Sequence, residues 1–365
     1  MSDSPRSDSE FIARHFPLKP TGAYLDTGAI GLVPVGVGEA LARCAQALGV
    51  GTLGSSSWEA SGASAHTLIA AEYGVAESRL QSLATTGEAM NAAARAIVWE
   101  HGDEVLVFSD DFPTVRLPWR GLGHGTRVVE LAPPSDENRT SALIEALSPR
   151  TRVVSVAHVH PVTGSTVDLS ALGHACRDNG TFLIVDGAQS AGVLRLDLSE
   201  VDVYIGTAYK WLLAGFGFTT LVTSERFTEA AVPGLLGYAN TPPSQSLVYA
   251  HRNLFGMYSI RAAAEVRLEF GLDRVARRTL EHVSRLHTEL SALGFQPMAP
   301  LALSAGIVTV DGLDAAPLVA ALGERGISVA NRQGNVRISP YFYTSDAEID
   351  QCLVSFAELA PLYRR

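Results

Sequence analysis

The stretch TFLIVDGAQSAG, residues 181–192, decides the fold. An apolar run from Phe182 to Val185 leads without alternation into Asp186, and small residues follow. Runs of that kind belong to strands buried on both faces, as in parallel sheets. Working outward, the same texture recurs at VLVF (105–108), RVVEL (127–131), RVVSVAHV (152–159), DVYIG (202–206) and FTTLVT (218–223). Helical patterns lie between several of them: EAMNAAARAIVW (88–99), SALIEAL (141–147) and LSALGHACRDN (169–179). Strands alternating with helices predict a mostly parallel sheet covered on both faces. A short helix is expected at FIARHF, near the start. The rhythm changes at the turn-rich NTPPSQS (240–246). A helical stretch at about 256–293 follows, then strands GIVTV (306–310) and VRIS (336–339) around a helix near 313–325, then a last helix near 345–362. The expectation is an α/β chain with an N-terminal arm (1–20), a large domain (21–245) and a smaller α+β domain (246–365).

Composition narrows the function. The chain has 365 residues, more than one core comfortably serves. It is 47% hydrophobic and 18% charged, which excludes a disordered chain. Lys plus Arg total 28 against 38 for Asp plus Glu, a net charge of -10 with no basic run, which argues against a nucleic-acid partner. Cys44, Cys176 and Cys352 are far apart and form no zinc or CxxC spacing, so no metal is expected and a reducing cytoplasm is. The polar start MSDSPRSDSE lacks an apolar signal region, and no apolar run reaches membrane-spanning length. A soluble, cytoplasmic protein is the expectation.

Ligands of parallel α/β sheets bind at the carboxyl ends of the strands, and that rule singles out two residues. Asp186 either faces a ligand there or caps a following helix. Lys210, in GTAYKWLLAGFG (206–217), either snorkels from a loop or is a buried, nucleophilic amine. A strand-end Asp followed 24 residues later by such a Lys suits pyridoxal phosphate. The amine holds the aldehyde as a Schiff base, and the carboxylate keeps the ring nitrogen protonated.

VDGAQSAG (185–192) followed by GTAYKW (206–211) resembles the fold-type I pyridoxal phosphate enzymes of aminotransferase class V. The similar branch holds cysteine desulfurases, selenocysteine lyases, kynureninases and isopenicillin N epimerase-like proteins. The resemblance runs from YLDTGAIGLVP (24–34) to VRISPYFYTSDAEID (336–350). It implies the aspartate aminotransferase-like, PLP-dependent transferase fold, pyridoxal 5′-phosphate as cofactor, an amino-acid substrate, and a homodimer with a shared active site.

The resemblance also implies roles. Lys210 carries the Schiff base and takes the Cα proton, Asp186 pairs with the pyridine nitrogen, and Gln189 meets the ring oxygen. Thr86 and the Gly87 amide, in ATTGEAMNAAARAI (84–97), hold the phosphate at a helix N-terminus, unless Thr86 is only a cap. Thr207 and Tyr209 bring further hydroxyls to the phosphate. Phe112, in DDFPTVRLPW (110–119), either stacks on the ring or belongs to the core. His160, in AHVHPVTGSTVDL (157–169), faces the ring and the substrate, either transferring protons or bonding the ring oxygen, while His158 is a packing residue. Arg337 forks onto the substrate carboxylate, or else sits on the surface of an edge strand. Asn253, in YAHRNLFGMYSIRAA (249–263), contacts the site of the neighbouring subunit.

Departures matter as well. Desulfurases carry a nucleophilic cysteine shortly before the arginine, and ISVANRQGNVRIS (327–339) has none. Val115 and Gln189 stand where kynureninases have aspartate and histidine, and AGFGF (214–218) replaces a Gly-Pro turn. The implied reaction begins with a Cα carbanion. Loss of a β-substituent, a lyase reaction with His160 as proton donor, comes first. A class V aminotransferase or an epimerase is the alternative, and a non-catalytic binding module the last.

Overall fold

The computed structural model describes residues 7–123, 125–242 and 244–365. The first six residues of the polar arm, His124, and Pro243 of the turn-rich break lie outside the described residues. The strands in chain order are β1 (Ala23–Tyr24), β2 (Leu80–Leu83), β3 (Glu104–Phe108), β4 (Arg127–Leu131), β5 (Thr151–Ala157) and β6 (Phe182–Asp186). They continue as β7 (Val203–Thr207), β8 (Thr219–Thr223), β9 (Val308–Val310), β10 (Ile327–Ser328), β11 (Ala330–Arg332) and β12 (Asn335–Ile338).

Among the described residues, seven strands form the main sheet in the order β2-β8-β7-β6-β5-β3-β4. Only β8 runs against the others, because it pairs antiparallel with both β7 and β2. Every residue of β3, β6, β7 and β8 is buried, as their unbroken apolar texture requires. Burying Leu183, Ile184 and Val185 contributes about 1.5–3 kcal/mol per side chain. β2 was not evident in the sequence. Its LQSL has apolar residues only at its ends, which suits an edge strand. The helices Val35–Gly49 and Ser55–Tyr73 were not evident either. Both pack on the helix Leu254–Phe270 in the main core.

The helical stretch expected at 256–293 is two helices, Leu254–Phe270 and Leu272–Ala292. Gly271, at φ +96°, breaks them where an L side chain would be strained. A smaller sheet, β11-β12-β9, and the β1–β10 pair build a second core. Ala23 and Leu25 belong to that second core, while the helix Leu254–Phe270 belongs to the first. The packing therefore crosses a division drawn at residues 21 and 246. In the arm, Phe11 lies 5.0 Å from Phe270 and Phe16 lies 5.9 Å from Phe342, centroid to centroid.

Candidate active site

The carboxyl ends of β5, β6 and β7 carry Ala157, Asp186 and Thr207 to one edge of the sheet. Because β8 is reversed, its first residue, Thr219, lies opposite Thr207 at that same edge. The helix Thr86–Ala96 starts there too, and together they border a cavity of about 330 Å³. Lys210, Asp186, Gln189, Thr86, Gly87, Phe112, Thr207 and Tyr209 all line it.

Lys210 sits in a turn just beyond β7. The turn ends at Leu213, a buried non-glycine residue at φ 59°, a conformation the surroundings must hold in place. The loop before residue 34 provides the brace. Gly31 donates to Tyr209 O at 2.9 Å, and a Cβ at position 31 would lie 2.0 Å from Lys210 O. Burial lowers the pKa of Lys210 to about 8, with Arg337 adding to the effect and Asp186 opposing it. Near neutrality the amine then exists in both forms, as a base or nucleophile needs.

Asp186 is 5% exposed and accepts from Ala188 N at 2.8 Å, closing a turn rather than capping a helix. Burial raises its pKa, opposed by that hydrogen bond and by Lys210. Gln189 is oriented by two fixed partners. The Trp211 indole donates to its Oε1 at 2.8 Å, and its Nε2 donates to Gly28 O at 3.0 Å. One Nε2 hydrogen remains for a ligand. Trp211 is itself fully buried beneath the lysine turn.

At the helix start, the cap is Thr85, whose hydroxyl accepts from Glu88 N at 3.0 Å. Thr86 is thereby released from capping, and the first-turn amides of Thr86 and Gly87 have no intrahelical acceptor. Across the cavity, Thr219 Oγ1 is buried without a hydrogen-bond partner. Two free amides at a helix N-terminus facing an orphaned hydroxyl form a receptor for a tetrahedral anion. Phe112 is 50% exposed, so it is a wall of the cavity and not core. Tyr209 stacks on Phe216 at 4.6 Å and 19°.

His160, Arg337 and Asn253 stand apart from the other expected residues. His160 does not face the cavity. The lining residues are its neighbours Val159 and Pro161, whereas His160 Nδ1 accepts from Thr163 N at 3.1 Å and Nε2 lies 3.4 Å from Asp110 Oδ2. Its neighbour Asp110 is in turn forked by Arg139 at 2.9 and 3.2 Å, so the ring belongs to a charge cluster behind Phe112. Arg337 is neither on the surface nor in the cavity wall. It is 2% exposed and is bonded to Pro161 O and Asp26. Asn253 caps the helix Leu254–Phe270 through its Oδ1 and donates to Gly217 O through Nδ2, so both ends of its amide are used within this chain.

Thr219, Phe216 and Gly28 escaped the sequence reading. Thr219 had a visible signal, a hydroxyl next to an aromatic at the start of a strand, but its relevance depends on the reversal of β8. All three cysteines are buried, and none lines the cavity. Among the described residues no cluster of His, Cys, Asp and Glu suits a metal ion, and no helix is long and apolar enough to cross a membrane.

Comparison with known proteins now gives the class. The aminotransferase class-V profile matches residues 63–357. The chain belongs to the aminotransferase class-V family, the fold-type I enzymes whose cofactor is pyridoxal 5′-phosphate. The isopenicillin N epimerase of Streptomyces clavuligerus is 32% identical over 314 residues, 75% of this chain and 78% of that protein. A probable cysteine desulfurase of Vibrio cholerae serotype O1 is 25% identical, covering 75% of this chain and 76% of its own. Among solved structures, the apo cysteine desulfurase from Thermococcus onnurineus NA1 superposes with a TM-score of 0.88 at 22% identity, covering 98% of this chain and 100% of that one. The donor set at the cavity fits the cofactor: free amides and an orphaned hydroxyl for a phosphate, a buried carboxylate, and an amine of lowered pKa.

Proposed function

We propose that the protein is an amino-acid epimerase, which removes the proton from the substrate Cα and returns a proton to the same carbon with the side chain intact. One observation carries this reading. Among the described residues that line the cavity, the titratable groups are Asp186, Tyr209 and Lys210, with no thiol and no histidine. A persulfide-forming desulfurase needs a cysteine at the substrate. Elimination of a β-substituent is best served by an acid beside the leaving group, and the donor expected from the sequence, His160, stands behind the wall. The order of readings drawn from the sequence therefore reverses, with epimerisation ahead of the lyase. The relationship to the S. clavuligerus protein named isopenicillin N epimerase supports the same choice.

The geometry supports one role for each of these residues. The Thr86 and Gly87 amides, with the hydroxyls of Thr207 and Thr219, would hold the phosphate. Asp186 would meet the pyridine nitrogen, the spare Nε2 hydrogen of Gln189 the ring oxygen, and Phe112 would cover the ring. When bound, pyridoxal phosphate supplies an electron sink that makes the Cα proton acidic. Lys210 Nζ would take that proton from one face, and inversion at Cα needs a second acid, which among the titratable groups lining the cavity is the Tyr209 phenol, to return one to the opposite face. Burial raises the Tyr209 pKa, so its phenol stays neutral. Arg337 receives the α-carboxylate. The same reading takes a cytoplasmic homodimer as the working unit.

The test uses the cofactor-loaded protein in heavy water with a panel of L-amino acids and S-alkyl cysteines. The expected result is deuterium at Cα together with the D-enantiomer, both absent in Lys210→Ala. Release of pyruvate, ammonia and thiol from an S-alkyl cysteine would instead establish a lyase. Accumulation of pyridoxamine phosphate would establish an aminotransferase.

A further inference from the structure

Arg337 lies on β12, opposite Ala330 of β11 and Thr309 of β9. That face of the small sheet meets the large domain. Thr309 Oγ1 donates to Val162 O at 2.6 Å, and Arg337 Nη1 donates to Pro161 O at 2.9 Å. The rest of the guanidinium is poorly satisfied for so buried a cation. Nη2 donates to Asp26 Oδ1 at 3.3 Å, and Nε has no partner. Gly28 closes over the group, since a Cβ there would lie 3.3 Å from Cζ and from Nη2. Asp26 keeps 22% of its side chain exposed, so it reaches both the buried arginine and water.

A second arginine shares this face. Side chains alternate along a strand, so Arg332, two residues beyond Ala330, projects on the same side as Arg337. Arg332 is exposed, and no ion pair holds it among the described residues. Arg332 stands opposite Asn335, two residues along each strand from the Ala330–Arg337 pair.

We infer that Asp26 is a displaceable carboxylate, holding Arg337 while the site is empty and passing to Arg332 when the carboxylate of an amino-acid substrate takes Arg337. This rests on the reading above that Arg337 is the substrate's carboxylate receptor. A buried guanidinium stripped of its counter-charge is strongly destabilised, so the empty site needs a resident anion. An incoming carboxylate then competes with Asp26 for the same nitrogen. Transfer to Arg332 keeps both Asp26 and the buried Arg337 paired in both states, so that only the exposed Arg332 is unpaired while the site is empty. The exchange lowers the affinity for any carboxylate by the free energy of releasing Asp26, and ligands without a carboxylate leave Asp26 in place.

The experiment is calorimetric titration of propionate, a carboxylate that cannot react, into the cofactor-loaded protein. Asp26→Asn is expected to bind propionate about tenfold more tightly than wild type, because the competitor is gone. Arg332→Gln is expected to bind it about three- to fivefold more weakly, because displaced Asp26 loses its second partner. Arg337→Gln should abolish binding. If Asp26→Asn binds no more tightly, or Arg332→Gln is unchanged, while Arg337→Gln still abolishes binding, the exchange is overturned and Arg337 stands as receptor. If Arg337→Gln binds propionate as wild type does, the receptor assignment falls and the exchange with it. Arg332 is exposed, so its variant carries the test even where Asp26→Asn does not fold.

Discussion

Arg267 and Arg337 are both buried, and each is paired with a carboxylate, but the pairs are built differently. Arg267 is 0% exposed and uses every arm. Nε and Nη2 bond both oxygens of Glu72 at 2.9 and 2.6 Å, and Nη1 bonds Leu212 O. Burial alone would lower its pKa, but Glu72 outweighs burial and holds it above the ordinary value. Arg337 has a single carboxylate contact at 3.3 Å and an idle Nε, and burial brings its pKa down to about 10. The first pair ties the helix Ser55–Tyr73 to the helix Leu254–Phe270 and to the lysine turn. The second leaves donor capacity unspent beside the cavity. A closed pair serves the fold, and an open pair keeps a donor unspent.

The largest effect should come from breaking the closed pair. Arg267→Gln strands Glu72 in the core and should lower unfolding free energy by about 3–5 kcal/mol, read from the denaturant midpoint. The same change at Arg337 should cost well under half of that, since Asp26 turns to water. Equal losses at the two sites would erase the distinction between them.

Function should show the reverse. Arg337→Gln should reduce kcat/KM for the substrate about a hundredfold or more with the fold retained, because a charged receptor is lost. A variant that melts early yet keeps kcat/KM would make Arg337 a structural arginine like its counterpart.

The smallest effect is the sharpest. Only neutral Lys210 attacks an aldehyde, so capture of pyridoxal phosphate by the cofactor-free protein should quicken as pH rises through about 8. Burial sets most of that lowering and the Arg337 charge adds to it, so Arg337→Gln should move the midpoint upward. Arg267→Lys should leave it in place. Stopped-flow absorbance against pH gives the answer, and an unmoved midpoint in Arg337→Gln would detach that arginine from the site.

Much of the site was legible because its residues lie at strand ends and in short motifs. Asp186, Lys210, Gln189, Thr207 and Thr86 reach one cavity because each follows or opens an element of the parallel sheet. The misreadings are of another kind. His160 was placed one residue out of phase: in that segment Val159 and Pro161 look into the cavity and the histidine looks away. The alternation of β5 runs on past its end, with Ala157, Val159 and Pro161 lining the cavity, and it is this phase that puts His160 on the other side. Asn253, expected at a neighbour's site, also caps its own helix and bonds Gly217 O, contacts the sequence reading did not include.

What the amino-acid order settled is the parallel sheet and the cofactor, because apolar runs report burial and short motifs report chemistry within a few residues. What tertiary structure alone settled is which groups remain unsatisfied. Asp26 meets Arg337 across 311 residues of chain, and Thr219 reaches the cavity opposite Thr207 only because β8 runs backwards. Pairings at such separation follow from which distant strands meet: Asp26 is bridged to Ser339, two residues past Arg337, and β8 lies between β2 and β7. No local pattern encodes them, since the conformation of one segment does not state what another will bring beside it.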